Sequence, residues 1–339
     1  MLYRFSKGIS STSIKIWICS LFLVSFSHQP PKSKPWGFVG HKKINELAVY
    51  TLPPEMIAFY KANMDYIIEN SVLPDKRRYI VKEEGPKHYI DLDHYQNDSL
   101  DFQEWIPKSW KKASEIYGRD SLFAYGVLPW NIQWMLKKLQ DAFERGDGPM
   151  ILKYSAEIGH YVSDAHVPLH TTENYNGQLT NQHGIHGLWE SRLVELYASD
   201  YDFFVGKAFI LEEPLEQTWE IIFKSHSFLP IVFELEAKIT DSLGLSNKYA
   251  FEKRGNQIVQ VYSSRFSEIY HASMENMVQN RMRDAVLMVG SFWFTAWVNA
   301  GQPDLKGLMG KYPKGKLETI DSLKTYDSKV IPNQREHEH

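Results

Sequence analysis

HYVSDAHVPLHTTENYNGQLTNQHGIHGLWE, running from His160 to Glu190, decides how the rest of the chain is read. It holds five of the thirteen histidines, together with Asp164 and Glu190. His160 and Asp164 stand four apart within an apolar-periodic run (Ile158, Tyr161, Val162, Ala165), so a helix places both on one face. His186 and Glu190 repeat the spacing beside Leu188, Trp189 and Leu193. Pro168 ends the first run, and His170 follows it. Imidazole and carboxylate are the usual zinc ligands besides thiolate, and two such pairs with a linking histidine supply several of them. The plainer alternative is a histidine-rich surface helix followed by a polar loop.

Outward from this stretch the periodicity is helical. Upstream, a helix is predicted to start near Pro149, and another spans Leu122 to Phe143 with Leu128-Pro129-Trp130 at its entry. From His41 the spacing of Ile44, Leu47, Ala48, Thr51 and Leu52 is helical up to Pro53-Pro54. A second helix carries Met56, Ile57, Tyr60, Met64 and Ile67. SVLPDKRRY reads as irregular and contains Asp75 and Arg78. KHYIDLDHY, with His88, Asp91, Asp93 and His94, alternates like a strand but is short and isolated. Downstream, apolar residues keep helical intervals through Leu193, Trp219, Ile222, Ile231 and Leu235, and again from Asn256 to Asn299. The apolar run Val289–Val298 is too short for a membrane span and reads as a buried core helix. With no internal repeat and no shift of composition, the expectation is a single all-α domain of roughly ten helices, the site lying among the central ones.

Lys7 and Lys15 precede a run of about twelve apolar residues, shorter than the ~20 a spanning helix needs. The small residues Ser25 and Ser27 follow it, so residues 1–27 are predicted to be an export signal, ahead of a membrane anchor or lipid attachment at Cys19. A linker over residues 28–35, a domain over residues 36–310 and a polar tail over residues 311–339 complete the division, and the location implied is secreted or periplasmic. Cys19 is the only cysteine, so the processed chain has no thiol for a disulfide. Aromatic residues at 14% and charged residues at 23% suit a large packed core rather than disorder. A formal charge of −3 gives no electrostatic footprint for binding duplex DNA.

Trp36-Gly-x-x-Gly-His41, Asp75-x-x-Arg78, His88-x-x-Asp91, His160-x3-Asp164-x5-His170 and His186-x3-Glu190 together resemble the zinc-dependent phospholipase C and single-strand-specific zinc nuclease superfamily. The likeness runs from Trp36 to about Asp304. It implies an all-α enzyme with three zinc ions that hydrolyses phosphate esters. Carried over, the first zinc takes Asp75, His88, His160 and Asp164, and the second takes His170, His186 and Glu190. The third takes His41, Asp164 as a bridge, and the backbone of Trp36. Arg78 is the implied phosphate clamp, and Asp91 orients water or touches substrate. In the resembling enzymes the tryptophan is the mature N-terminus, whereas the predicted export signal leaves residues 28–35 ahead of Trp36.

Glu190 resembles the bacterial phospholipases, since the nucleases usually carry aspartate there. Tyr89 stands where the nucleases place an aromatic ring that stacks on a base, with ordinary packing as its alternative. The expected substrate is a phosphodiester: a phospholipid head group reached by transient membrane-surface contact, or single-stranded nucleic acid or a 3'-nucleotide. A non-catalytic zinc-stabilised protein is the third reading. His166 reads as a packing residue, His183 as solvated, His94 and Asp93 as either neighbours of His88 or local turn partners. Trp130, Trp189, Trp293 and Trp297 read as core, and Asn174–Gly177 as a turn or a cleft rim.

Overall fold

Two antiparallel helices, Leu128–Glu144 and Gly148–Ala165, form the centre of the computed structural model, which describes residues 37–95, 106–254, 257–308, 310 and 312. The export signal and the linker lie outside the described residues, as does the tail apart from Tyr312. The first helix, Gly37–Ala48, packs on the second of this pair, the long helix Met277–Asn299 packs on both, and these two pack on each other. Helix Met64–Asn70 packs on the first and central helices. Among the described residues the only β structure is one antiparallel hairpin, Tyr249–Arg254 with Gln257–Tyr262, so the fold is all-α.

The central helix begins where the sequence places it. Asp147 accepts a hydrogen bond from the Met150 amide at 3.2 Å, and Pro149 occupies the first turn, where a missing N–H costs nothing. At its other end the carbonyls of Ala165 and His166 have no helical partner. Ser225 Oγ donates to the first at 2.6 Å and Arg281 Nε to the second at 2.9 Å. The turn that carries Asp164 is thereby tied to two later helices, Pro214–His226 and Met277–Asn299. Gly159, beside His160, lets the first helix come close: a Cβ there would lie 2.0 Å from Asn45 Oδ1. Asn45 Nδ2 donates to Ala156 O at 3.1 Å across the same gap.

Several local readings need correction. The second predicted helix is two, Pro54–Ala62 and Met64–Asn70. Asn63 divides them by donating its side chain to Phe59 O at 3.1 Å and its amide to Tyr60 O, a local bond that competes with the helical ladder. SVLPDKRRY contains a short helix, Leu73–Arg77, with Pro74 in its first turn. The segment after Asn256 opens as a strand: Val259 is 5% exposed and Ile258 70%, a period of two that the β-branched residues of QIVQVY already carry. KHYIDLDHY, in keeping with its isolation in the sequence, forms no strand. Its extended centre is satisfied singly, Ile90 N donating to His170 O at 2.9 Å and Asp91 N to Tyr125 O at 2.7 Å.

As expected, Trp130, Trp189, Trp293 and Trp297 are core residues, and Trp293 Nε1 donates to Ser155 O. The Val289–Val298 run is buried within the last helix, and no described helix is long and apolar enough to cross a membrane.

Candidate metal centre

Three α-helices, two 3-10 turns and the segment Ile185–Arg192 deliver the ligand types. The first helix contributes His41; helix Leu73–Arg77 contributes Asp75; the 3-10 turn Lys82–His88 ends on His88. The central helix contributes His160 and Asp164 on one face, and the turn after Pro168 contributes His170. His186 and Glu190 follow a looped excursion. They do not share a regular α-helix, because Leu188–Arg192 is wound as a π-helix, a form often found at functional sites.

Their side chains meet in three buried groups able to hold metal ions: His41 with His160 and Asp164, Asp75 with His88 and His160, and His170 with His186 and Glu190. Asp164 divides its oxygens. Oδ1 lies 3.3 Å from His41 Nε2, whereas Oδ2 lies 3.0 Å from His88 Nδ1 and 3.3 Å from His160 Nε2. Asp75 Oδ1 is 3.7 Å from His160 Nε2 and 3.9 Å from His88 Nδ1. In the third group His170 Nε2 is 3.2 Å from both Glu190 Oε2 and His186 Nε2, and His186 Nε2 contacts the same carboxylate. The carried-over ligand sets are thus brought together, except for Trp36, which lies outside the described residues.

Tautomers follow from the outer hydrogen bonds. His160 Nδ1 donates to Ser71 O at 2.9 Å and His170 Nδ1 to His88 O at 2.5 Å, which leaves each Nε2 as an inward lone pair. Inward nitrogens then face one another, His160 Nε2 and His88 Nδ1 at 3.0 Å. Burial, with neighbouring imidazoles next, holds His88 and His160 well below the usual histidine range. Burial also lowers His41, and it pushes Asp75 and Asp164 up. Lone pairs and carboxylates converging away from water repel one another unless a cation or protons lie between them, and all the donor atoms are nitrogen or oxygen. The residues therefore fit a divalent metal. At Glu190 burial works upward, but His186 and His170 outweigh it and hold the carboxyl well below its usual range. Burial lowers His170 in turn, and Glu190 overcomes this to raise it.

Arg78 lies at the rim of the first groups, Nη1 3.8 Å from Asp75 Oδ1, with its side chain 6% exposed and Nη2 buried without a hydrogen-bond partner. Asp91 belongs to none of the three groups. It is buried, and its charge, after burial and Tyr117, helps push the Tyr95 phenol up. Tyr89 is fully buried, and a Cβ at Gly126 (φ +93°) would lie 2.1 Å from its carbonyl oxygen. Of its two readings, packing holds. His166 Nδ1 donates to Val162 O and His183 is exposed, as expected. Asp93 accepts from Glu173 N at 2.6 Å, and His94 stacks on Tyr125. Asn174 and Gly177 form a turn, in which Asn174 Oδ1 accepts from Leu179 N.

Sequence reading missed a buried polar cluster beside the first groups. Arg77 binds Glu84 through Nε and Nη2, both at 3.0 Å, and Glu157 through Nη1 at 2.8 Å; Lys87 Nζ and Tyr161 OH also donate to Glu84. The available signal was Glu84-x3-His88, the same spacing as the two ligand pairs. Comparison with family models gives no match, and comparison with curated proteins gives none.

Proposed function

We propose that the chain is a zinc-dependent phosphoric ester hydrolase of phospholipase C type, acting in the periplasm or after secretion. The observation that carries this reading is Asp164, whose two oxygens address separate histidine sets. A shared carboxylate is what a pair of closely spaced metal ions requires. His41 and Asp164, with Trp36 as the remaining donor, would hold one zinc; Asp75, His88, His160 and Asp164 a second; His170, His186 and Glu190 the third. When bound, zinc supplies Lewis acidity toward a phosphoryl oxygen and makes water acidic enough to attack near neutral pH.

The chain's own residues do the rest. Ser71 O and His88 O fix the tautomers of His160 and His170. Arg78 presents a permanently charged fork, with Nη2 unengaged, suited to an anionic phosphate oxygen. Asp91 is assigned to orienting water or touching the substrate. A phospholipid head group is favoured over a nucleotide because Tyr89, the residue positioned to stack on a base, is enclosed.

Parallel assays of the zinc-loaded protein on phosphatidylcholine vesicles, single-stranded DNA and bis-nitrophenyl phosphate test this. Hydrolysis of the lipid and the generic diester is expected. Cleavage of DNA without lipid would replace the substrate, and no hydrolysis of any of the three would leave only a zinc-stabilised fold.

A further inference from the structure

Glu84 stands in a particular relation to one of the metal-site imidazoles. His88 directs Nδ1 at the ligand group, 3.0 Å from both Asp164 Oδ2 and His160 Nε2. If Nδ1 gives its lone pair to a cation, the ring proton must reside on Nε2. That nitrogen is buried without a hydrogen-bond partner, and Glu84 Oε1 lies 3.8 Å from it. His160 and His170 place their outer nitrogens on neutral backbone carbonyls, so His88 differs in facing a carboxylate.

Glu84 is unusually well anchored. Arg77 grips both of its oxygens, Lys87 Nζ reaches Oε2 at 2.7 Å, and Tyr161 donates to Oε1. The opposing charges of Arg77 and Lys87 hold the Glu84 carboxyl down at about 2 against the upward push of burial, so it is ionised at neutral pH. The cluster also draws on each segment that supplies the ligand group. Arg77 follows Asp75 by two residues, Glu84 precedes His88 by four, and Tyr161 adjoins His160.

We infer that Glu84 is a positioning residue for His88: it receives the Nε2 proton as a hydrogen bond when Nδ1 engages a cation, which fixes the tautomer and strengthens the imidazole as a donor. Arg77 serves the site by keeping this carboxylate in place. The inference rests on the metal-centre reading.

The test is a zinc titration against a competing chelator, with zinc alone as the probe. Glu84→Gln should weaken one zinc equivalent by about tenfold to a hundredfold and leave the one held by His170, His186 and Glu190 unchanged. Glu157→Gln removes a carboxylate from the same arginine but meets no ligand imidazole. It should lose stability while changing zinc affinity by no more than about threefold. Equal affinity in Glu84→Gln and the unaltered protein, or an equal loss in both variants, overturns the role of Glu84. Should either variant fail to fold, nitrogen-15 histidine spectra of the unaltered zinc-loaded protein decide alone. A downfield, exchange-protected His88 Nε2 proton, as a hydrogen bond to a carboxylate gives, with zinc on Nδ1 is expected; an Nε2 proton with no such bond, or zinc on Nε2, overturns the inference. If the unaltered protein binds no zinc at this group, it is the metal-centre reading that fails.

Discussion

Asp164 is where a single side chain carries the most. Each of its oxygens meets different histidines at 3.0 to 3.3 Å, so no other residue type of similar size can replace it. If the proposed zinc cluster is present, Asp164→Asn should weaken two of its three sites by more than about a hundredfold, because it exchanges a ligand rather than an outer partner. Metal analysis after dialysis against a weak chelator would show it as a fall toward one zinc per chain. Arg78→Lys keeps the charge and loses the planar fork, and should lower kcat/KM on a phosphodiester roughly tenfold with zinc content unchanged. A loss of zinc in that variant would make Arg78 structural. At this scale the sequence was highly legible: His160, Asp164, His170, His186 and Glu190 announce themselves by spacing and chemistry. Arg77 and Glu84 do not, since buried charge clusters are built from contacts distant in the chain, and Arg77 reaches Glu157 across eighty positions.

Elements hold these residues in register, and close approach of helices is part of the site. Gly159→Ala would displace the Asn45 side chain, which its Cβ meets at 2.0 Å from Oδ1, and break the bond from Asn45 Nδ2 to Ala156 O that joins the two helices. A loss of about 1–3 kcal/mol in denaturant unfolding is expected, as for other overpacked cores. The cluster joining helix Leu73–Arg77, the turn Lys82–His88 and the central helix should give a distinct acid response. Glu84 has its carboxyl held down at about 2, against 4.5 ordinarily, so its contribution is present in full above pH 4.5 or so and disappears as pH falls toward 2. Its size, on the order of 3 kcal/mol, follows from the shift. Glu84→Gln should flatten the pH dependence of stability in that interval, and an unchanged acid limb would remove Glu84 from the account of it. The start of the central helix was readable because Pro149 is a chemical signal for one; the Asp147 cap was not read. The break at Asn63 and the strand Gln257–Tyr262 were not read: a side-chain bond to a carbonyl leaves no trace in periodicity, and the hairpin's alternation lay inside a longer window of helical spacing.

Across the whole molecule, candidate ligands from His41 to Asp164 gather around one shared carboxylate and those from His170 to Glu190 around a second, so any metal held there would couple its binding to folding. Removing zinc should lower the melting temperature by about 10 °C, and adding it back should restore it, as for a ligand bound far above its dissociation constant. The all-α architecture followed from helical periodicity along most of the chain, and the meeting of distant ligands followed from resemblance in motif order. The outer arrangement of charge around them did not, because it depends on which helix faces pack together. Anomalous scattering at the zinc edge from crystals of the purified protein distinguishes a metal cluster at Asp164 from a metal-free polar core. Density maxima are expected between Asp164 Oδ1 and His41, between Asp164 Oδ2, Asp75, His88 and His160, and between His170, His186 and Glu190. Zinc-replete crystals with no maximum beside either oxygen of Asp164 would contradict the cluster.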